Sequence, residues 1–376
     1  MFKNILLTLL FVSCIQEEKP QNDFTKTLDR FLEQQYLENY FSGSVVVGNS
    51  KEILYEFHKG IADRTFEVPI STETRFDIAS VNKSFIAGLV LLAVEEREIE
   101  LKDKLVDRLN SYLYDGIFDE NITIHQLLTH TSGLADYDKV SFDLSKDNYS
   151  KFKRLHFTNS EYVNFISCLR TEALPNKKFY YSNFGYHLLT IILEDIYQKP
   201  FQEILRNKIS LPLNMQNTYS PRVNTKVYKN VAKGYQFDEK NKEWKRNHFI
   251  DYSLGRRIFS TTKDLYKWLS AFNNNILFND ESITLLKKNH LAFMDSNVSY
   301  GYGWFPYKSN ERFKKGDLNI SLPYIIHGGS TEGYKSIVVN IDNGKYSIAI
   351  LANTGDKVNE LQLVKEIVQR IVNSKK

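Results

Sequence analysis

Cysteine is nearly absent: the chain holds two, Cys14 and Cys168, in 376 residues. No Cys/His cluster has zinc spacing, and two distant thiols cannot staple a small disulfide scaffold. Paired metal ligands and a phosphate-cradling loop are also missing, so the sequence calls for no metal and no cofactor. Charge of one sign does not accumulate. There are 49 Lys and Arg against 45 Asp and Glu, a net +4, and basic residues cluster only in pairs such as Lys177-Lys178 and Lys287-Lys288. Without a basic stripe to track a phosphate backbone, nucleic acid is excluded as a partner. Beyond the first dozen residues no apolar run approaches the roughly 20 residues of a membrane-spanning helix. What remains is a globular balance, 42% hydrophobic and 25% charged. Aromatics at 14% supply Phe and Tyr for a large core.

The N-terminus is patterned for export. Met1-Phe2-Lys3-Asn4 carries one positive charge, and Ile5 to Val12 is apolar but too short to cross a bilayer. Leu10-Phe11-Val12-Ser13-Cys14 resembles the lipobox of bacterial lipoproteins, whose cysteine is acylated and becomes the mature N-terminus. Phe11 departs from the usual Leu, Val or Ile, and a plain secretory signal is the alternative. Ile15 to Asp23 is polar, holds Pro20 and reads as a flexible tether. The expectation is therefore a lipoprotein-type signal and tether over 1–23, lipidated at Cys14. The protein is then exported to the cell envelope and held to the membrane by that anchor. Cys168 lies in an apolar-patterned stretch, Tyr162 to Leu169, and reads as a buried small hydrophobe.

Periodicity assigns the elements. Phe24 to Tyr40 reads as an amphipathic helix with Leu28, Phe31, Leu32 and Tyr36 on one stripe. Ser44–Val47 and Ile53–Phe57 read as a hairpin turning at Gly48-Asn49-Ser50. The apolar run Phe85 to Val94 is too long for a strand and reads as a buried helix. Thr123 to Gln126 and Thr261 to Asp264 match capping boxes, with Ser132-Gly133 ending the first of these helices. Asn183 to Gln198 is a further helix, stopped before Pro200. Ser336–Ile341 and Tyr346–Leu351 flank Asp342-Asn343-Gly344, a hairpin, and a last amphipathic helix carries Leu361, Val364, Val368 and Ile371. Strands at both ends and helices between them predict an α+β fold: an antiparallel sheet flanked by N- and C-terminal helices, with an inserted all-helical lobe over about 80–230.

Three polar groups stand out. Ser80-Val81-Asn82-Lys83 opens the buried helix, and a spacing of three puts hydroxyl and amine on one helical face. Serine is a weak nucleophile until a base takes its proton, and burial lowers a lysine's pKa toward that task. Tyr181-Ser182-Asn183 precedes the next long helix; a phenol there can relay a proton and an amide can hold substrate. His327-Gly328-Gly329-Ser330 follows the apolar Tyr324-Ile325-Ile326, and its glycines permit close backbone approach. The backbone N–H of Ser330, with that of Ser80, suits a tetrahedral oxyanion. Each group alone is weak; their order along the chain is the signal.

In that order and spacing the chain resembles the serine β-lactamase and penicillin-binding-protein superfamily, in its class C-like branch, which follows S-x-x-K with Y-x-N and often H-x-G. The resemblance runs from about Phe41 to the C-terminus. It includes Leu127-Leu128-Thr129-His130-Thr131-Ser132-Gly133-Leu134, Phe259-Ser260-Thr261 and Gly301-Tyr302-Gly303-Trp304. It implies one catalytic domain over 24–376, an acylated Ser80, and Lys83 and Tyr181 sharing base and acid work. It also implies substrate contacts from Asn183, His327, Gly329 and Ser330. Expected substrates are a D-peptide, a β-lactam or an ester, and the H-x-G form resembles the superfamily's D,D-peptidases, D-aminopeptidases and esterases. His130 reads as supporting a loop. Arg256-Arg257 stand where many relatives carry glycines and read as solvated surface charges, with a carboxylate-binding role as the alternative. Ser141–Lys153 and Lys308–Leu318 are expected to shape the pocket. The competing function is a non-catalytic binder of wall fragments or of a partner.

Overall fold

The protein is described by a computed structural model over residues 23–140, 157–221, 226–246, 256–294, 297–312, 316–331 and 333–373. The signal, Cys14 and most of the tether lie outside the described residues, as does 141–156.

One antiparallel sheet joins the two ends of the chain. Its strands are β1 (Gly43–Gly48), β2 (Ile53–Lys59), β9 (Phe305–Tyr307), β10 (Tyr324–Thr331), β11 (Tyr334–Ile341) and β12 (Tyr346–Ala352), in the order β2-β1-β12-β11-β10-β9. The seam is β1 on β12, in register from Gly43↔Ala352 to Gly48↔Ser347. Small two-stranded ribbons pair β3 (Ile61–Asp63) with β4 (Val68–Pro69), β5 (Phe76–Asp77) with β8 (Phe259–Ser260), and β6 (Tyr235–Asp238) with β7 (Glu243–Arg246). The β11–β12 turn fits its sequence: Asp342, Asn343 and Gly344 all take positive φ, at 50°, 50° and 88°, which Asp, Asn and Gly tolerate best.

β1 and β12 are buried along their whole length because both faces of the sheet are covered. On one face the terminal helices Asp23–Leu37 and Glu360–Asn373 bury Leu28, Leu32, Val364 and Ile367 against Val45, Ile348 and Ile350. On the other lies the larger core, built around the helix Asn82–Glu95. That helix is buried from Asn82 to Ala93, which explains its unbroken apolar run. Phe85 stacks on Trp268 at 4.3 Å between ring centroids, and Trp268 Nε1 donates to Ser84 Oγ at 3.0 Å. Each fully buried Leu, Ile, Val or Phe contributes about 1.5–3 kcal/mol, so this helix is anchored before it carries any chemistry. Among the described residues of 80–230 the regular elements are all helical, and no described helix is long and apolar enough to cross a membrane.

The caps follow the sequence with two departures. Thr123 and Gln126 form the reciprocal box that starts Ile124–Leu128. That helix ends at Leu128, however, not at Ser132-Gly133, and the chain then reverses through His130 at φ 57°. Thr261 accepts from Asp264 N–H, but the Asp264 carboxylate turns away to accept from Asn217 N at 2.7 Å and Thr218 Oγ1 at 3.0 Å; only half the box forms. Cys168 also departs from expectation. It caps the helix Asn159–Ser167 and is exposed, because the buried stripe runs through Tyr162, Val163 and Ile166 and position 168 turns outward.

Candidate active site

Ser80 sits in a single 3₁₀ turn, Ala79–Val81, that feeds directly into Asn82–Glu95. The turn eclipses residues three apart, and the Lys83 amine donates to Ser80 Oγ at 3.4 Å. Ala79, just before the nucleophile, has φ 46°, a left-handed conformation that costs a Cβ-bearing residue about 1–2 kcal/mol. Asp77 holds it there: Asp77 Oδ1 accepts from Ala79 N–H at 2.7 Å. Two glycines press the same segment from outside. A β-carbon on Gly329 of β10 would fall 2.7 Å from Ile78 O and 2.8 Å from Ser80 N. One on Gly303, at φ 71°, would meet Lys83 O at 2.5 Å. This explains Gly301-Tyr302-Gly303-Trp304: only glycine lets that loop lie on the lysine's own backbone.

Lys83 is 3% exposed. Burial lowers its pKa to about 8, against the opposing pull of Asp136. A minor neutral fraction therefore exists at neutral pH and grows above it, and a neutral amine can accept the serine proton. Its second donation, 2.7 Å to Asn183 Oδ1, ties it to the next long helix, Asn183–Tyr197. The Tyr181 phenol lies beside Ser80, and its ring lies 4.9 Å from the Lys83 amine. Burial raises the Tyr181 pKa far above that of a free phenol, with the Ser80 contact working the other way. Tyr181 thus keeps its proton at neutral pH and is suited to pass protons along. Tyr181→Phe is expected to lower turnover by about 10²- to 10³-fold with an unchanged melting temperature; steady-state rates on a chromogenic ester check it.

His130 supports this arrangement. It is 1% exposed, its Nδ1 accepts from Ser182 N–H at 3.0 Å, and its Nε2–H faces the Tyr300 phenol at 3.2 Å. Its ring packs 4.1 Å from that of Tyr181. Burial, then the nearby Lys83 and His327, hold it neutral. Two groups with no sequence signal also appear. Asp136 accepts from both the main-chain N–H and Nδ2 of Asn183, each at 2.9 Å. Asp77, fully buried, pairs with Arg257 at 2.7 Å.

On the β10 side the strand runs through His327–Thr331, so Gly329 reaches the Ser80 backbone as part of the sheet. His327 shares Gly329's face of the strand and is buried beside Phe305, 5.3 Å between ring centroids. Ser330 is exposed. The structure thus gathers Ser80, Lys83, Tyr181, Asn183 and Gly329 by direct contact. His327 lies in the layer behind, and Ser330 continues the strand past the nucleophile.

The two arginines are not solvated charges. Arg256 pairs with Glu194 at 2.7 Å and bonds Asn159 and Thr190. Arg257 bridges Asp77 and, at 3.2 Å, Thr331 on β10, clipping the turn before Ser80 to the strand beside it. Both guanidiniums are committed to internal partners, which leaves little for a substrate carboxylate. Arg257→Ala takes the paired cation from the fully buried Asp77 and is expected to cost about 3 kcal/mol, read as a lower urea midpoint at unchanged slope. Of the two expected pocket loops, 141–153 lies outside the described residues, and Lys308–Leu318 is described except for 313–315.

Comparison with known proteins agrees with this fold. A family model described as Beta-lactamase matches residues 30–369. Penicillin-binding protein 4* of Bacillus subtilis (strain 168) is 26% identical over 370 residues, covering 92% of this chain and 76% of that protein. Among solved structures, the D-amino acid amidase of Ochrobactrum anthropi SV3 superposes with a TM-score of 0.75 at 22% identity, covering 94% of this chain and 100% of the other. A penicillin-binding protein from Bacillus halodurans gives 0.74 at 22%, covering 90% and 99%.

Proposed function

The chain belongs to the beta-lactamase family, a family of serine hydrolases, and from that premise we propose that it hydrolyses an amide or ester through an acyl-enzyme on Ser80. One observation carries the reading: a buried lysine amine lies between Ser80 Oγ, at 3.4 Å, and Asn183 Oδ1, at 2.7 Å, with the Tyr181 phenol on the same serine. Neutral Lys83 takes the proton as Ser80 Oγ attacks the carbonyl carbon. The resulting oxyanion is held by the N–H groups of Ser80 and Ser330; losing one such donor costs about 3–4 kcal/mol of transition-state stabilisation. As the intermediate collapses, Tyr181 gives its proton to the leaving nitrogen or oxygen and regains one from the Lys83 ammonium. Water then attacks the Ser80 ester as neutral Lys83 takes its proton; Lys83 returns that proton to Ser80 Oγ as the intermediate collapses, and the acid departs with serine and amine restored. Asn183 holds the Lys83 amine in place for these transfers, its Nδ2 being given to Asp136, and buried His327 backs the strand that carries Gly329.

The relatives named for penicillin binding and D-amino-acid amide hydrolysis favour D-configured peptides or amides, with β-lactams and simple esters as further substrates. The test is a panel of acyl-D-Ala-D-Ala peptides, D-amino-acid amides, β-lactams and nitrophenyl esters given to the purified protein. Ser80-dependent turnover of at least one class supports the reading. Tight binding of wall fragments with no turnover across the panel replaces it with a binder.

The export signal and the lipobox-like Cys14 support an envelope lipoprotein, where such peptides occur. Labelled palmitate incorporated by the wild type and lost in Cys14→Ala is the expected result; equal incorporation overturns the anchor.

A further inference from the structure

The mechanism uses Lys83 and Asn183 but leaves a charged neighbour without a role. Asp136 lies on the loop after Gly133-Leu134 and is half-buried, and both its oxygens are turned on one residue. Oδ1 accepts from the main-chain N–H of Asn183, the first residue of its helix, and Oδ2 accepts from the side-chain Nδ2. The loop is fastened at a second point, where Ser182 Oγ donates to Ala135 O at 2.7 Å.

A carboxylate only accepts hydrogen bonds, whereas an amide both donates and accepts. With Asp136 on one side, the Asn183 amide must present its NH₂ there and turn its oxygen to Lys83. We infer that Asp136 is a positioning residue for the site: through Asn183 it fixes which end of the amide meets the Lys83 amine, and it supplies the negative charge that faces that amine across the amide. The catalytic consequence rests on the hydrolase reading above; the arrangement itself does not.

The surroundings leave Asp136 as the one carboxylate acting on this amine among the described residues. The groups facing Lys83 from the packed elements are Ser80, the phenols of Tyr181 and Tyr186, and the His130 imidazole, with His327 beyond it. None of them carries a negative charge. Around Asp136 itself stand the phenols of Tyr162, Tyr180 and Tyr181 and the N–H of Tyr137. Asp136 therefore works against burial, holding the Lys83 proton more tightly than the cavity alone would.

Asp136→Asn separates the two parts of the inference. It keeps the shape, removes the charge, and puts a donor where two donors already point. The clash is relieved by flipping Asn183, which turns an NH₂ toward the ammonium. The experiment uses the full chain and two readouts. The first is the titration of Lys83 by NMR with ¹³C-lysine, assigned by its disappearance in Lys83→Met; it needs no substrate and no activity. The midpoint is expected to move to lower pH in Asp136→Asn and to stay in place in Asp136→Glu. The second is the rate of labelling by a fluorophosphonate. Asp136→Asn is expected to slow it by roughly 10- to 100-fold, but by little in an Asn183→Ala background, because the effect passes through Asn183. An unmoved Lys83 midpoint in Asp136→Asn overturns the electrostatic part. An equal loss with and without Asn183 overturns the positioning part. If Asp136→Asn fails to fold, Asp136→Glu decides: a shifted midpoint there contradicts the inference. If Ser80→Ala is labelled like the wild type, the hydrolase reading falls, and the Lys83 titration still tests Asp136.

Discussion

Ser80→Ala is expected to abolish turnover of every substrate the wild type hydrolyses, a loss on the order of 10⁴-fold or more, as when the nucleophile is removed from other serine hydrolases. The size follows from the site's construction. Among the described residues no other hydroxyl is hydrogen-bonded to the Lys83 amine, so alanine leaves only binding and the oxyanion donors. The fold is expected to be indifferent. Position 80 lies in a one-turn 3₁₀ segment held by Asp77, Gly329 and the helix behind it, and none of these contacts uses the hydroxyl. An unchanged melting temperature beside a dead enzyme is the pairing to look for. A variant retaining more than about a hundredth of wild-type activity contradicts the assignment.

Lys83→Met is the second large effect, about 10²- to 10⁴-fold, the usual contribution of a general base. Its pH dependence gives the sign. The amine accepts the serine proton only when neutral, and its pKa is lowered to about 8. Wild-type acylation should therefore climb as pH rises through about 8 and level off above it, and Lys83→Met should lose that limb. Lys83→Arg should be as inactive as Lys83→Met, because a guanidinium stays charged at every usable pH. Stability should not follow activity. Methionine removes the cost of burying an amine on a residue that is 3% exposed, so the inactive variant is expected to unfold at the same urea concentration or a higher one. An unaltered pH profile in Lys83→Met would place the base elsewhere.

Much of this was legible in the residues. The central helix announced itself because Phe85 to Val94 is apolar on every face, and only a helix buried all round tolerates that. Asp342-Asn343-Gly344 marked its hairpin because those residue types accept positive φ. The three polar groups were legible as chemistry because nucleophile, base and relay need particular side chains at particular element ends.

What escaped the sequence is what depends on contacts between distant segments. Asp136 is one Asp among many until the loop folds onto the N-terminus of Asn183–Tyr197. Arg257 looked solvated because its partners, Asp77 and Thr331, lie far away in the chain. Asp264 broke its capping box because Asn217 and Thr218 bid for the same carboxylate. Cys168 followed the apolar pattern of its neighbours but stands at a helix end, where the stripe has already turned inward.

The central claim is tested most directly by finding where a covalent acyl mimic lands. The wild type should be treated with a fluorophosphonate at pH 8 and digested with trypsin, and the adduct mapped by mass spectrometry. Cleavage after Arg75 and after Lys83 gives Phe76–Lys83, which holds a single serine, Ser80. One stoichiometric adduct is expected on that peptide, absent from Ser80→Ala and, on the longer peptide running to Arg97 that Lys83→Met yields, slow to form. An adduct on any other peptide, or one that forms equally in Ser80→Ala, contradicts it.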